Sequence, residues 1–124
     1  MNSSQGYVKI FKKGVFLIKD NFQKEILFIS LFTFFVYLNS IINPLIWDDF
    51  SLIKENYLIK SFKNFFVFFK TDLYEGANAA STFYRPLQSL SYALIYKFFK
   101  LNPIPYHLLN IFLHIGCSIL FFLL

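Results

Sequence analysis

The chain has 124 residues, of which 56% are hydrophobic, 23% aromatic and only 15% charged, whereas a soluble domain carries about 25% charged residues. So many phenylalanines, 19 in all, would leave a soluble fold with large adhesive patches, so the composition excludes an ordinary soluble domain and points to an integral membrane protein. The net charge of +5 raises nucleic acid as a partner, but no basic cluster accompanies a groove-reading element. Lysine here is expected to mark topology and contact with anionic membrane lipid instead.

Residues 1–25 form a basic amino-terminal segment, with Lys9, Lys12, Lys13, Lys19 and Lys24 set against Asp20 and Glu25. A basic flank before a first span predicts a cytoplasmic amino terminus. Val15 to Ile18 suit a short helix on the membrane surface. Residues 26–46 are uncharged and match the ~20 apolar residues needed to cross a bilayer, with an end expected near Asn43-Pro44. That run is too long for a signal peptide, and no small-x-small cleavage site follows it.

Residues 47–103 are too charged for lipid and read as an outward-facing loop. Ser61 precedes Phe62, Phe65, Phe66 and Phe69, a spacing that predicts an amphipathic helix near 61–70. Glu75 to Thr82 read as a turn, with Gly76, Asn78 and Ser81 supplying its chemistry. After Pro86, which suits a first helical position, Leu87, Leu90, Leu94, Ile95 and Phe98 predict a second amphipathic helix near 86–100. Its other face carries Gln88, Ser89, Tyr92 and Lys97. Both helices are expected to lie flat on the bilayer surface.

Asn102-Pro103-Ile104-Pro105 breaks that helix, and residues 104–124 form a second apolar segment. It is barely long enough to span, and it ends without a flanking charge or interfacial anchor. The chain is therefore expected to be truncated, an amino-terminal fragment. Cys117, the one cysteine, lies inside this segment and supports neither a disulfide framework nor a zinc site. The expected class is all-α integral membrane, with two transmembrane helices joined by an outward-facing loop carrying two interfacial helices.

Three sets of residues offer chemistry. Asp48 and Asp49, following Trp47 at the mouth of the first span, suit general-base work on an acceptor hydroxyl or a divalent cation that neutralises a phosphate. Acidic pairs also flank spans simply to stop them. Arg85 is the only arginine in the chain, and its planar fork matches a phosphate better than an ammonium does. It equally suits an interfacial residue reaching to headgroups. His107, Asn110 and His114 share one helical face, extended by Ser118. Such a stripe lines a functional cavity or binds helices together. No metal is specified by these spacings, and a divalent cation remains open.

In order, the chain presents a span, Trp47-Asp48-Asp49, a helix followed by Asp72, Tyr84-Arg85-Pro86-Leu87, an amphipathic helix, Leu101-Asn102-Pro103, and His107 with Asn110 and His114. This order resembles the amino-terminal part of a GT-C type membrane glycosyltransferase. The likeness is to the protein O-mannosyltransferase-like group that includes the transmembrane and tetratricopeptide-repeat proteins, and it covers about residues 26–124. Where family members follow the aspartate with an aromatic pair and glycine, this chain has Leu73-Tyr74-Glu75-Gly76.

The resemblance implies a multi-pass protein of a bacterial inner membrane or its equivalent. Its donor would be a polyprenyl-phosphate-linked sugar, and its acceptor a protein, glycan or lipid hydroxyl. Asp48 or Asp49 would be catalytic and Arg85 would lie near the donor phosphate. Tyr84, His107, Asn110 and His114 would line the cavity. Two spans cannot enclose such a site, so the fragment alone is expected to be inactive. The rival expectations are a non-catalytic two-span assembly protein and, more remotely, a piece of a transporter.

Overall fold

The computed structural model describes residues 21–77 and 82–124. The surface helix expected at Val15 to Ile18 and the turn residues Asn78 and Ser81 lie outside the described residues, as does most of the basic segment 1–25. Among the described residues the regular elements are all helical. Helix α1 covers Asn21–Ile42, tightening to a 3₁₀ turn over Leu38–Ile42. Helix α2 covers Pro86–Phe99 and α3 covers Pro103–Leu123. Both α1 and α3 are long and apolar enough to cross a membrane. Helix α1 stops just before Asn43-Pro44, because a residue preceding proline is pushed out of helical geometry. Residues 43–46, expected in the first span, are non-helical.

The described residues divide into two compact units, one holding residues 21–38 with Ile111–Leu124, the other Asn39–Asn110. In the first, Phe22 meets Phe122 at 6.0 Å between ring centroids. Tyr37 meets His114 edge-on at 4.9 Å. Ser30 and Ser118 each donate a hydroxyl hydrogen bond to the carbonyl four residues earlier, at 2.8 and 2.9 Å. Their polarity is thereby satisfied by their own helix.

In the second unit the two loop helices pack on one another. The loop has its own core, in which Ile53, Ile59, Phe68, Leu73, Ala93 and Tyr106 are buried. Residues Phe62–Phe69 form a 3₁₀ rather than an α-helix. Side chains three apart are eclipsed in that geometry, so Phe62, Phe65 and Phe68 form one ridge and Lys63, Phe66 and Phe69 another. The first ridge leads into the core, ending at Phe68, 3% exposed, while Phe66 is 74% exposed. The four phenylalanines expected to share a stripe nevertheless stay neighbours, the Phe65 ring meeting those of Phe62, Phe66 and Phe69 at 6.2, 5.1 and 5.5 Å between centroids.

Helix α2 packs on Phe62–Phe69, and it too is turned against expectation. It starts with Pro86 at its first position, as its sequence predicts, but its buried residues are Ser89, Tyr92 and Ala93. Leu87, Leu94 and Phe98 are exposed. At 100° per residue those three fall within one narrow stripe, opposite the buried one. The link to α3 is fixed by Lys100 at φ 55°, whose carbonyl accepts the Tyr106 hydroxyl at 2.8 Å. Asn102 Oδ1 then accepts the Ile104 N–H at 3.1 Å and opens α3.

Gly76 is required by contact rather than by backbone angle. Its carbonyl accepts the Tyr57 N–H at 2.9 Å, and its Cα faces buried Asn56. The Asn56 side-chain oxygen accepts the N–H groups of Leu58 at 3.0 Å and Ile59 at 3.4 Å. A Cβ at residue 76 would collide with that oxygen and approach Leu58 Cβ to 3.0 Å.

Candidate functional site

The acid pair sits on a sharp turn after α1. Trp47 takes the left-handed conformation, φ 52°, which costs a bulky residue roughly 1–3 kcal/mol. The turn lets the Asp49 N–H reach the Ile46 carbonyl and the Phe50 N–H reach the Trp47 carbonyl, both at 3.0 Å. Asp49 also folds back, its Oδ2 accepting the Ile46 N–H at 3.3 Å. Asp49 is half-buried and Asp48 exposed. A π-helical turn follows over Phe50–Lys54, closed by the Glu55 N–H on the Phe50 carbonyl at 2.8 Å. Its wide geometry sends Leu52 and Ile53 together into the core.

Arg85 is exposed immediately before α2, with its guanidinium carbon 5.3 Å from the Phe83 ring centroid. Tyr84 is anchored by a hydroxyl hydrogen bond to the Phe69 carbonyl at 3.0 Å. That bond holds the Tyr84-Arg85-Pro86 segment against the 3₁₀ helix. Asp72 serves its own turn, accepting the Tyr74 N–H at 2.8 Å.

The acids and the arginine meet electrostatically at Tyr92. This tyrosine is 6% exposed, its ring edge-on to Tyr106 at 5.7 Å, and its hydroxyl accepts a hydrogen bond from Gln88 Nε2 at 3.0 Å. Burial raises its pKa above the ordinary tyrosine value by disfavouring the phenolate. The Gln88 bond opposes this; Asp49 adds to the rise, Arg85 subtracts, and Asp48 adds further. All three charged residues therefore lie within electrostatic reach of one buried hydroxyl. Tyr92 and Gln88 were not among the residues expected to form a site. The signal was present, since Arg85, Gln88, Ser89 and Tyr92 follow helical i, i+3, i+4, i+7 spacing.

The histidines are less tightly drawn in. His107 Nε2 lies 2.9 Å from the Asn43 carbonyl, which ties α3 to the segment after α1. Asn110 is exposed. His114 belongs to the other unit, where it borders an open groove with Ile29, Cys117, Phe121 and Phe122. Among the described residues no group of three or more histidine, cysteine, aspartate or glutamate side chains gathers at metal-binding distance. No family model, curated protein or solved structure matches this chain.

Proposed function

We propose that these residues form part of a polytopic membrane glycosyltransferase that moves a sugar from a polyprenyl-phosphate donor to a hydroxyl of a protein, glycan or lipid. The observation that carries the reading is that the acid pair, on the turn after α1, and the exposed Arg85, at the start of α2, belong to one compact unit, Asn39–Asn110. An acid for the acceptor and a guanidinium for the donor phosphate are what such a transfer needs in one neighbourhood. The order of motifs from Trp47 to His114 supports the same class by resemblance.

In this reading α1 and α3 cross the membrane, the amino terminus is cytoplasmic, and the unit between them faces outward. The acceptor oxygen attacks the anomeric carbon while its proton passes to Asp48 or Asp49. The bond from that carbon to the phosphate oxygen breaks, and its electron pair leaves with polyprenyl phosphate. Arg85 binds the phosphate and stabilises the charge that develops on it. Asp48 has its carboxylate exposed, and Asp49 keeps Oδ1 available while Oδ2 holds the turn. Tyr84, His107 and Asn110 would line the remainder of the site within the same unit. A divalent cation bound at the acid pair would add neutralisation of phosphate charge.

A second reading is a non-catalytic membrane assembly protein. The use of Asp49 and Asp72 as turn-forming acceptors favours it. The two readings separate on Asp49→Asn in the full-length protein. The amide keeps an oxygen for the Ile46 N–H but cannot take a proton. Glycosyltransfer is expected to vanish while membrane insertion is unchanged. Wild-type turnover by this variant removes the aspartate from the mechanism.

A further inference from the structure

The loop unit turns its most apolar stripes outward. Leu87, Leu94 and Phe98 lie on one exposed stripe of α2, and Phe66 and Phe69 on the exposed ridge of the 3₁₀ helix. The Phe65 ring meets that of Phe62 at 6.2 Å and those of Phe66 and Phe69 at 5.1 and 5.5 Å, and two contacts join this ring cluster to α2. Lys97 Nζ lies 5.4 Å from the Phe62 ring centroid and 5.5 Å from that of Phe98. Tyr84 bonds the Phe69 carbonyl at 3.0 Å just before α2 begins. Two apolar stripes so joined make a patch of the kind that monomeric proteins keep covered.

Charge identifies the cover. Residues 61–70 and 86–100 contain no aspartate or glutamate, and Lys63, Lys70, Lys97 and Lys100 are all exposed. Lysine stems can lie along apolar surface while their ammonium groups remain in the headgroup layer. We propose that the outward face of Phe62–Phe69 and α2 docks into a leaflet of anionic lipid. The aromatic and leucine side chains enter the acyl boundary, and the lysines contact headgroup phosphates. The surface used is opposite to the Ser89, Tyr92 and Ala93 face, which is buried in the loop core, so docking leaves that core closed. The proposal rests on α1 and α3 being inserted spans, and its test carries a control for that.

The test is spin labelling of the full-length protein with Cys117→Ala as background, reconstituted in vesicles of phosphatidylcholine with and without phosphatidylglycerol. Labels at Phe66→Cys, Leu87→Cys and Leu94→Cys are compared with Leu120→Cys in α3 and with Glu55→Cys and Glu75→Cys in the loop. Docking predicts that the first three are reached by oxygen in preference to a water-soluble nickel chelate, approaching Leu120. It predicts that Glu55 and Glu75 are reached by nickel, and that the oxygen preference grows with phosphatidylglycerol. Nickel access at Phe66, Leu87 and Leu94 with oxygen access at Leu120 overturns the docking alone. Shielding of those three from both reagents overturns it in favour of a protein cover, and nickel access at Leu120 overturns the membrane reading beneath it. An oxygen preference indifferent to phosphatidylglycerol overturns the choice of anionic lipid.

Discussion

Gly76→Ala is a sharp test of the loop core because one methyl group has a single place to go. It would enter the space of Asn56 Oδ1, with Leu58 Cβ 3.0 Å away. If Asn56 is displaced, the buried N–H groups of Leu58 and Ile59 lose their acceptor. An orphaned buried donor costs about 1–3 kcal/mol. The Ile59 bond is already long, so we expect about 2–4 kcal/mol of destabilisation in total. A unit the size of Asn39–Asn110 holds on the order of 4–11 kcal/mol, so the loss is a large share. Pulse proteolysis in a urea series, on protein in detergent micelles, reads cleavage between residues 39 and 110 directly. Gly116→Ala is the matched control, since its new Cβ meets nothing within 4 Å. Adding Gly76→Ala to Asn56→Ala should cost less than adding it to the wild type, because the clashing oxygen is gone. Equal stability of Gly76→Ala and Gly116→Ala, or full additivity with Asn56→Ala, would refute the contact as the reason for glycine.

Further predictions concern the turns and the buried tyrosine. Lys100→Gly removes a positive-φ side chain and should raise stability by about 1 kcal/mol, read by the same proteolysis series; a loss would mean the lysine stem is needed there. Tyr92 has its pKa raised by burial, so its contribution to stability is intact below the ordinary tyrosine value of 10.0 and is lost as pH rises through the higher folded value. Alkaline titration at the phenolate absorbance band should therefore show one late proton missing in Tyr92→Phe, and an unchanged late phase would contradict the burial argument. His114→Gln should reduce transfer if His114 lines the cavity, whereas near-wild-type transfer would assign the Tyr37 ring contact to packing.

The sequence carried the helix ends where proline decided them, whereas hydrophobic length placed the first span at 26–46 and the helix covers Asn21–Ile42. Pro86 opens α2, and α1 ends at Ile42, one residue before Asn43-Pro44. It did not carry the facing of the loop helices. Apolar periodicity says which residues share a face, but not whether that face meets protein or another apolar phase. On α2 the Leu87, Leu94 and Phe98 stripe is turned outward and the Ser89 and Tyr92 stripe inward, the reverse of a soluble helix. For Phe62–Phe69 the spacing does not settle the helix type, because phenylalanines three residues apart suit a 3₁₀ ridge as well as an α-helical stripe. Of the candidate site, the acid pair and Arg85 were legible from rarity and position. The spacing of Arg85, Gln88, Ser89 and Tyr92 put Tyr92 on the face of Gln88 but did not give its burial, because a tyrosine among polar residues gives no sign that its face turns to the core.

The central claim is tested most directly by donor turnover. Membranes containing the full-length protein would be supplied with a polyprenyl-phosphate sugar labelled in the sugar, and release of polyprenyl phosphate followed alongside appearance of label in acceptor. The account predicts both with the wild type, and loss of both in Asp49→Asn and in Arg85→Ala at equal membrane abundance. Donor left intact by the inserted wild type, or consumed equally by all three proteins, would contradict it.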